Sequence, residues 1–125
     1  MSVSMDEKLY NKIKNSFEQN GGIIASSDDI DRRLDNMNAE MCTFNEKIIL
    51  IRQKYVPTVS AMFEELIHTA QYRTGRATGS NWIDMEIEAK QKLVKYQNRY
   101  GIPNSENEMT LKQLSGLIKL KEGDD

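Results

Sequence analysis

Four consecutive apolar residues, Ile48-Ile-Leu-Ile51, lie between Asn45-Glu46 and Pro57, and they constrain this chain more than any other stretch. The run is too short for a helix of its own and mostly β-branched, so it reads as a strand buried on both faces. Upstream, Ala39-Glu-Met-Cys-Thr-Phe44 has a similar mix of β-branched and aromatic residues. With Asn45-Glu46 as the turn, residues 39–52 form a hairpin. Outside it the apolar residues recur every three or four positions, the helical period. Helices around a single hairpin or small sheet make an α+β fold, and 125 residues suit one domain, 1–125.

The helical segments carry their own start and stop signals. Within residues 1–20, Leu9, Tyr10, Ile13 and Phe17 form one stripe, closed by Asn20-Gly21-Gly22. Ile23-Ile-Ala25 is a short apolar run. Ser26 or Ser27 then caps a short second helix with acids in its first turn and Ile30, Leu34 and Met37 on its buried face. Thr58 or Ser60 caps a helix over residues 59–73, which stops at Thr74-Gly75. Asn81, with Asp84 three residues on, resembles a capping box and opens a long helix over 82–100 that ends at Gly101-Ile-Pro103. A last helix over 110–121 buries Leu111, Leu114, Leu117 and Ile118, and Gly123-Asp-Asp is a frayed tail.

The helix over 59–73 reads FEELIHTAQYRTG from Phe63. The metallopeptidase signature H-E-x-x-H sets two imidazoles one turn apart, with a glutamate beside the first. Glu65, Leu66, Ile67 and His68 match its last four positions, and Glu64 replaces the first histidine. On a helix Glu64, His68 and Gln71 share one stripe. A metal site needs a further ligand, and Asp84-Met-Glu86-Ile-Glu88 offers one. Glu86 and Glu88 cannot share a face, and Glu88 lies 20 residues beyond His68, across a loop that permits antiparallel packing. The same letters also describe an ordinary amphipathic helix, in which both glutamates face water and His68 takes one of them in a charge pair.

Charge and cysteine content narrow the function classes. Nineteen acids against 17 bases, spread along the chain, leave a net charge of −2 and no basic block to neutralise a phosphate backbone, so nucleic acid is not an expected partner. The single Cys42 forms no internal disulfide and no multi-thiolate zinc site; it reads as a small buried apolar residue. Nothing resembles a membrane-spanning stretch or a signal peptide, so the chain is expected to be soluble, without membrane insertion.

Taken in order, Lys47-Ile-Ile-Leu, Pro57-Thr-Val-Ser, the FEELIHTAQYRTG helix, Glu86-Ile-Glu-Ala and Tyr100-Gly-Ile-Pro-Asn resemble small zincin-like domains at the C-termini of bacterial polymorphic toxins and in phage-borne proteins. The likeness covers roughly residues 20 to 110. It implies a metallopeptidase or other hydrolase acting as a toxin or effector domain, encoded by a bacterium or phage, and cytoplasmic or delivered within a larger polypeptide. A protein or peptide would be its substrate and a cognate immunity protein its partner. Carried onto this chain, the likeness makes Glu64, His68 and Glu88, or else Glu86, the ligands of Zn2+, with Mn2+ or Fe2+ suited to so anionic a set. Glu65 becomes the general base, Gln71 and Tyr72 contact substrate, and the strand Lys47–Arg52 offers an edge along which substrate lies. The other implied outcome is an inactive relative, a binding module with a structural Glu/His network, or a phage-encoded interaction protein.

Overall fold

The β-branched run forms β3 (Ile48–Ile51), and it is the middle strand of its sheet. The computed structural model describes residues 3–123. Among them are six helices and three strands: α1 (Glu7–Gln19), β1 (Ile23–Ala25), α2 (Asp28–Met37), β2 (Met41–Thr43), β3, α3 (Val59–Arg73), α4 (Trp82–Lys95), α5 (Gln97–Tyr100) and α6 (Asn104–Lys121). The mostly helical α+β architecture expected from the sequence is present. The expectations for Met1 and Ser2, and for Asp124 and Asp125 of the tail, lie outside the described residues. No helix is long and apolar enough to cross a membrane among the described residues.

The hairpin forms as its composition dictates, with Cys42 opposite Leu50 and Thr43 opposite Ile49. Its turn is fastened by Asn45 Oδ1, which accepts from the backbone N–H groups of Lys47 and Ile48 at 2.8 and 2.9 Å. The Ile23–Ala25 run is a strand as well, parallel to β3 in the order β1-β3-β2. That order corrects one expectation. Lys47–Arg52 has partners on both sides, so it offers no free edge, and the edge nearest α3 is β2.

Both faces of β3 are covered, and Ile49, Leu50 and Ile51 are buried. Helix α3 packs Val59, Met62 and Ile67 into the core with Ala89 and Leu93 of α4. Its bounds match the sequence reading, and Thr58 Oγ1 caps it by accepting from Ala61 N–H at 3.1 Å.

One helix end, one cap and one helix start differ from expectation. The long helix breaks at Tyr96, which stands outside helical geometry at φ −105°, ψ 22°. Asn81 does not cap α4 through its side chain; its amide turns back to Thr78 N–H and the Arg76 carbonyl, and so closes the 74–80 loop. Helix α6 starts at Asn104, directly after Pro103, rather than at Thr110. Its expected apolar face is only partly covered, since Leu111 and Ile118 are exposed, and its buried positions are Glu106 and Thr110.

The early start of α6 has a structural cause. Glu106, only 3% exposed, accepts from the N–H and hydroxyl of Ser60 at 3.0 and 2.9 Å. It therefore satisfies a first-turn donor of α3 with a carboxylate, where the helix dipole also favours negative charge. Glu106→Ala strands the Ser60 N–H and is expected to lower unfolding free energy by about 2 kcal/mol, while Glu106→Gln keeps an acceptor and loses less. Urea denaturation of both variants measures this, and an alanine variant as stable as wild type would rule out the bridge as a stabilising contact.

Candidate metal centre

Glu64, Glu65 and His68 are delivered by the second and third turns of α3, and Glu86 comes from the second turn of α4 packed beside it. One donor atom each from Glu64, His68 and Glu86 lie within 4.8 Å of one another. These residues could hold a metal ion, and the third member of the group is Glu86, not Glu88. Glu86 is spaced three, four and seven residues before the buried Ala89, Lys90 and Leu93, and that stripe faces α3.

Glu88 has another task. Its Oε1 accepts from Gln71 Nε2 at 3.0 Å and its Oε2 pairs with Arg76 at 2.5 Å. Gln71, expected to meet substrate, is 1% exposed and fully engaged. Its Nε2 also donates to the Met85 carbonyl at 2.9 Å. Both partners of Nε2 are pure acceptors, which fixes the amide orientation and turns Oε1 toward His68 Nδ1, 2.7 Å away. Nδ1 must therefore carry the proton, and in the neutral ring Nε2 presents its lone pair to Glu86 and Glu64.

One polar atom at the centre, Glu86 Oε2, lacks an aligned partner. His68 Nε2 stands 2.7 Å from Glu86 Oε2, yet that oxygen is enclosed and has no hydrogen-bond partner among the described residues. The two atoms are close enough to attract but are not aligned for a hydrogen bond. When the ring is neutral that oxygen is a buried acceptor without a donor, at a cost on the order of 1–3 kcal/mol, and a cation that replaces the proton could relieve it once the two groups part. Glu64 Oε1 is held at 2.8 Å by the ammonium of Lys90, whose side chain is only 8% exposed. Lys90 belongs to this charged group and sequence reasoning missed it, although it shares the buried stripe of Glu86.

Glu65 faces β2. Phe44 N–H donates to Ile48 O and Arg52 N–H to Glu40 O, so Met41 and Thr43, one residue out of phase, turn their backbone groups to the outer edge. The Thr43 N–H and hydroxyl both meet Glu65 Oε1, at 3.0 and 2.8 Å. Burial pushes the Glu65 carboxyl up; His68 and the Thr43 hydroxyl draw it back in part, and Glu64 and Glu86 add to the rise. For Glu86 burial also pushes up, but His68 and Lys90 outweigh it and the carboxyl sits below its usual range. Burial alone would depress His68; Glu86, Gln71 and Glu65 overcome it and raise the imidazole to about 9.

Below that value the metal-free ring is an imidazolium ion-paired with Glu86. Because the folded value lies above the unfolded 6.5, this proton stabilises the fold fully below pH 6.5, and the contribution fades as pH rises through 9. Its size is about 3 kcal/mol at most. Thermal melts of chelator-treated protein are expected to fall across that window, and a flat profile would contradict the protonated ring.

The group opens on a cavity of about 360 Å³, walled by Met41 and Thr43 of β2, Tyr72, and Trp82 and Met85 of α4. Tyr72, expected to meet substrate, is 41% exposed on this wall. Cys42, half-buried rather than buried, also reaches it. Gln71→Leu deletes the relay from Glu88 to the ring, leaving Nδ1–H without its acceptor. Metal affinity is expected to fall about 10–100-fold, with Gln71→Glu recovering part of it. Competition against a chromophoric chelator reads this; unchanged affinity would show that Gln71 does not orient the ring. A comparison with protein-family models matched none, and neither the curated proteins nor the solved structures gave a match.

Proposed function

We propose that this protein is a metal-dependent hydrolase of zincin type that cleaves a peptide bond in a protein target, as a toxin or effector domain. The observation that carries the reading is the convergence of Glu64, His68 and Glu86, with one donor atom of each within 4.8 Å of the others, around a ring whose Nε2 offers its lone pair there once a metal displaces the proton. Glu64, His68 and Glu86 would hold the ion, and one imidazole with two carboxylates suits zinc, manganese or ferrous iron. A bound divalent ion supplies Lewis acidity toward a carbonyl and lowers the pKa of a water molecule.

The chain's own residues do the rest. Glu65, adjacent in sequence to one ligand and raised in pKa by burial, accepts the proton of the attacking water and later passes it to the leaving amine. The Thr43 N–H and hydroxyl hold Oε1 in place for that transfer. The outward backbone of Met41 on β2 can pair with an extended peptide, with Tyr72 and Trp82 flanking the cavity.

A second reading, a metal-free binding module, is favoured by Lys90. Its ammonium with a protonated His68 balances Glu64 and Glu86 without any ion. Elemental analysis of purified protein separates the two: about one equivalent of zinc, manganese or iron per chain is expected, and no metal after incubation with any of them would overturn the hydrolase.

A further inference from the structure

On the opposite side of α3 lies a larger cavity, about 790 Å³, between α1, α3 and α5. Helix α1 buries none of its residues fully, although Leu9, Ile13 and Phe17 form an apolar stripe along it. The stripe faces Phe63, Leu66 and Tyr100 across this space, and the Phe63 and Tyr100 rings stack with centroids 4.3 Å apart. Gly22 shapes the floor, since a Cβ there would collide with the Phe17 ring. The rim is basic. Lys12, Lys47, Arg73 and Arg99 stand around it with a single acid, Glu46, and none of the four cations makes an ion pair among the described residues.

We propose that the cavity between α1 and α3 binds a small amphipathic anion: an acyl or aryl body on the Phe17, Phe63 and Tyr100 floor, with a carboxylate or phosphate head among Lys12, Lys47, Arg73 and Arg99. Apolar surface left half-covered on α1 gives a ligand body something to bury, at roughly 25 cal/mol per Å². Four unpaired cations in a chain of net charge −2 give the head its complement. The volume falls within the roughly 300–1,000 Å³ of small-molecule sites, which favours such a ligand over a segment of a partner protein. This site does not depend on the metal centre. Phe63, Leu66 and Arg73 point away from Glu64, His68 and Gln71 on the same helix.

The test is a fluorescence titration of the full chain with 8-anilinonaphthalene-1-sulfonate, an aromatic anion, against the uncharged N-phenyl-1-naphthylamine. Saturable one-to-one binding of the anion is expected, displaced by laurate and by dodecyl phosphate, and the stronger competitor identifies the head group. The double variant R73E/R99E, changed only at exposed side chains, should weaken the anion at least tenfold and spare the neutral probe. Ser16→Trp, which fills the cavity from exposed α1, should abolish binding of both even if the charge reversals perturb folding. Trp82→Ala, at the other cavity, should leave binding of both probes at this one unchanged. Anion binding unchanged in R73E/R99E or in Ser16→Trp, or lost in Trp82→Ala, overturns the assignment, as does displacement by an acidic peptide but by neither small anion.

Discussion

His68→Ala should strip the protein of its metal, whereas Glu65→Gln should keep the metal and lose activity. The imidazole is the only nitrogen donor in the Glu64–His68–Glu86 group, and its ring is oriented by Gln71 before any ion arrives. Deleting it leaves two carboxylates, one of them already paired with Lys90. Loss of an outer-shell partner alone weakens metal binding about 10–100-fold, so loss of the donor itself should exceed 100-fold. Glu65 sits next to the group without belonging to it, held by Thr43. The glutamine isostere keeps that acceptor but cannot take a proton, and general-base loss typically costs about 10²–10⁴ in rate. Elemental analysis with hydrolysis of fluorescein-labelled casein reads both variants. Equal metal content in wild type and His68→Ala would end the metal assignment, and full activity in Glu65→Gln would remove Glu65 from the chemistry.

Lys90→Met should move stability and metal affinity in opposite directions. The ammonium is buried against Glu64 Oε1, and without it Glu64 and Glu86 are left as neighbouring carboxylates in a partly desolvated space. Breaking one side of a buried pair costs about 3–5 kcal/mol, so the metal-free variant should melt well below wild type. The same change frees a ligand oxygen and removes a cation from beside the incoming ion, which should tighten metal binding by at least about tenfold. Added zinc or manganese should then restore most of the lost melting temperature, because a ligand that binds only the folded state stabilises it. If metal rescues nothing while the melting temperature drops, Lys90 belongs to a structural network and the binding-module reading gains.

The local features of the fold were legible in the sequence because they depend on neighbours along the chain. Helix α3 was bounded correctly by Thr58 at one end and Thr74-Gly75 at the other, and the β2–β3 hairpin by its β-branched run and Asn45. The choice between Glu86 and Glu88 was also within reach. Glu86 lies on a stripe with Ala89, Lys90 and Leu93, while Glu88 shares its face with Gln91, Lys92 and Lys95, which are only partly buried or exposed. Proximity in number to His68 had obscured that periodicity.

What the sequence determined by itself was therefore the set of elements, the α+β class, and the two stretches that carry ionisable groups. Tertiary structure decided which strand has a free edge, because β1 returns across a long separation to pair with β3. It decided that Gln71 orients a ring and touches no solvent, because Met85 and Glu88 of another helix take both its protons. It also decided that a lysine from α4 neutralises a glutamate from α3. Propensity and capping act within a few residues, whereas desolvation and charge pairing depend on which surfaces meet, and that is set only when α3, α4 and the sheet close on one core.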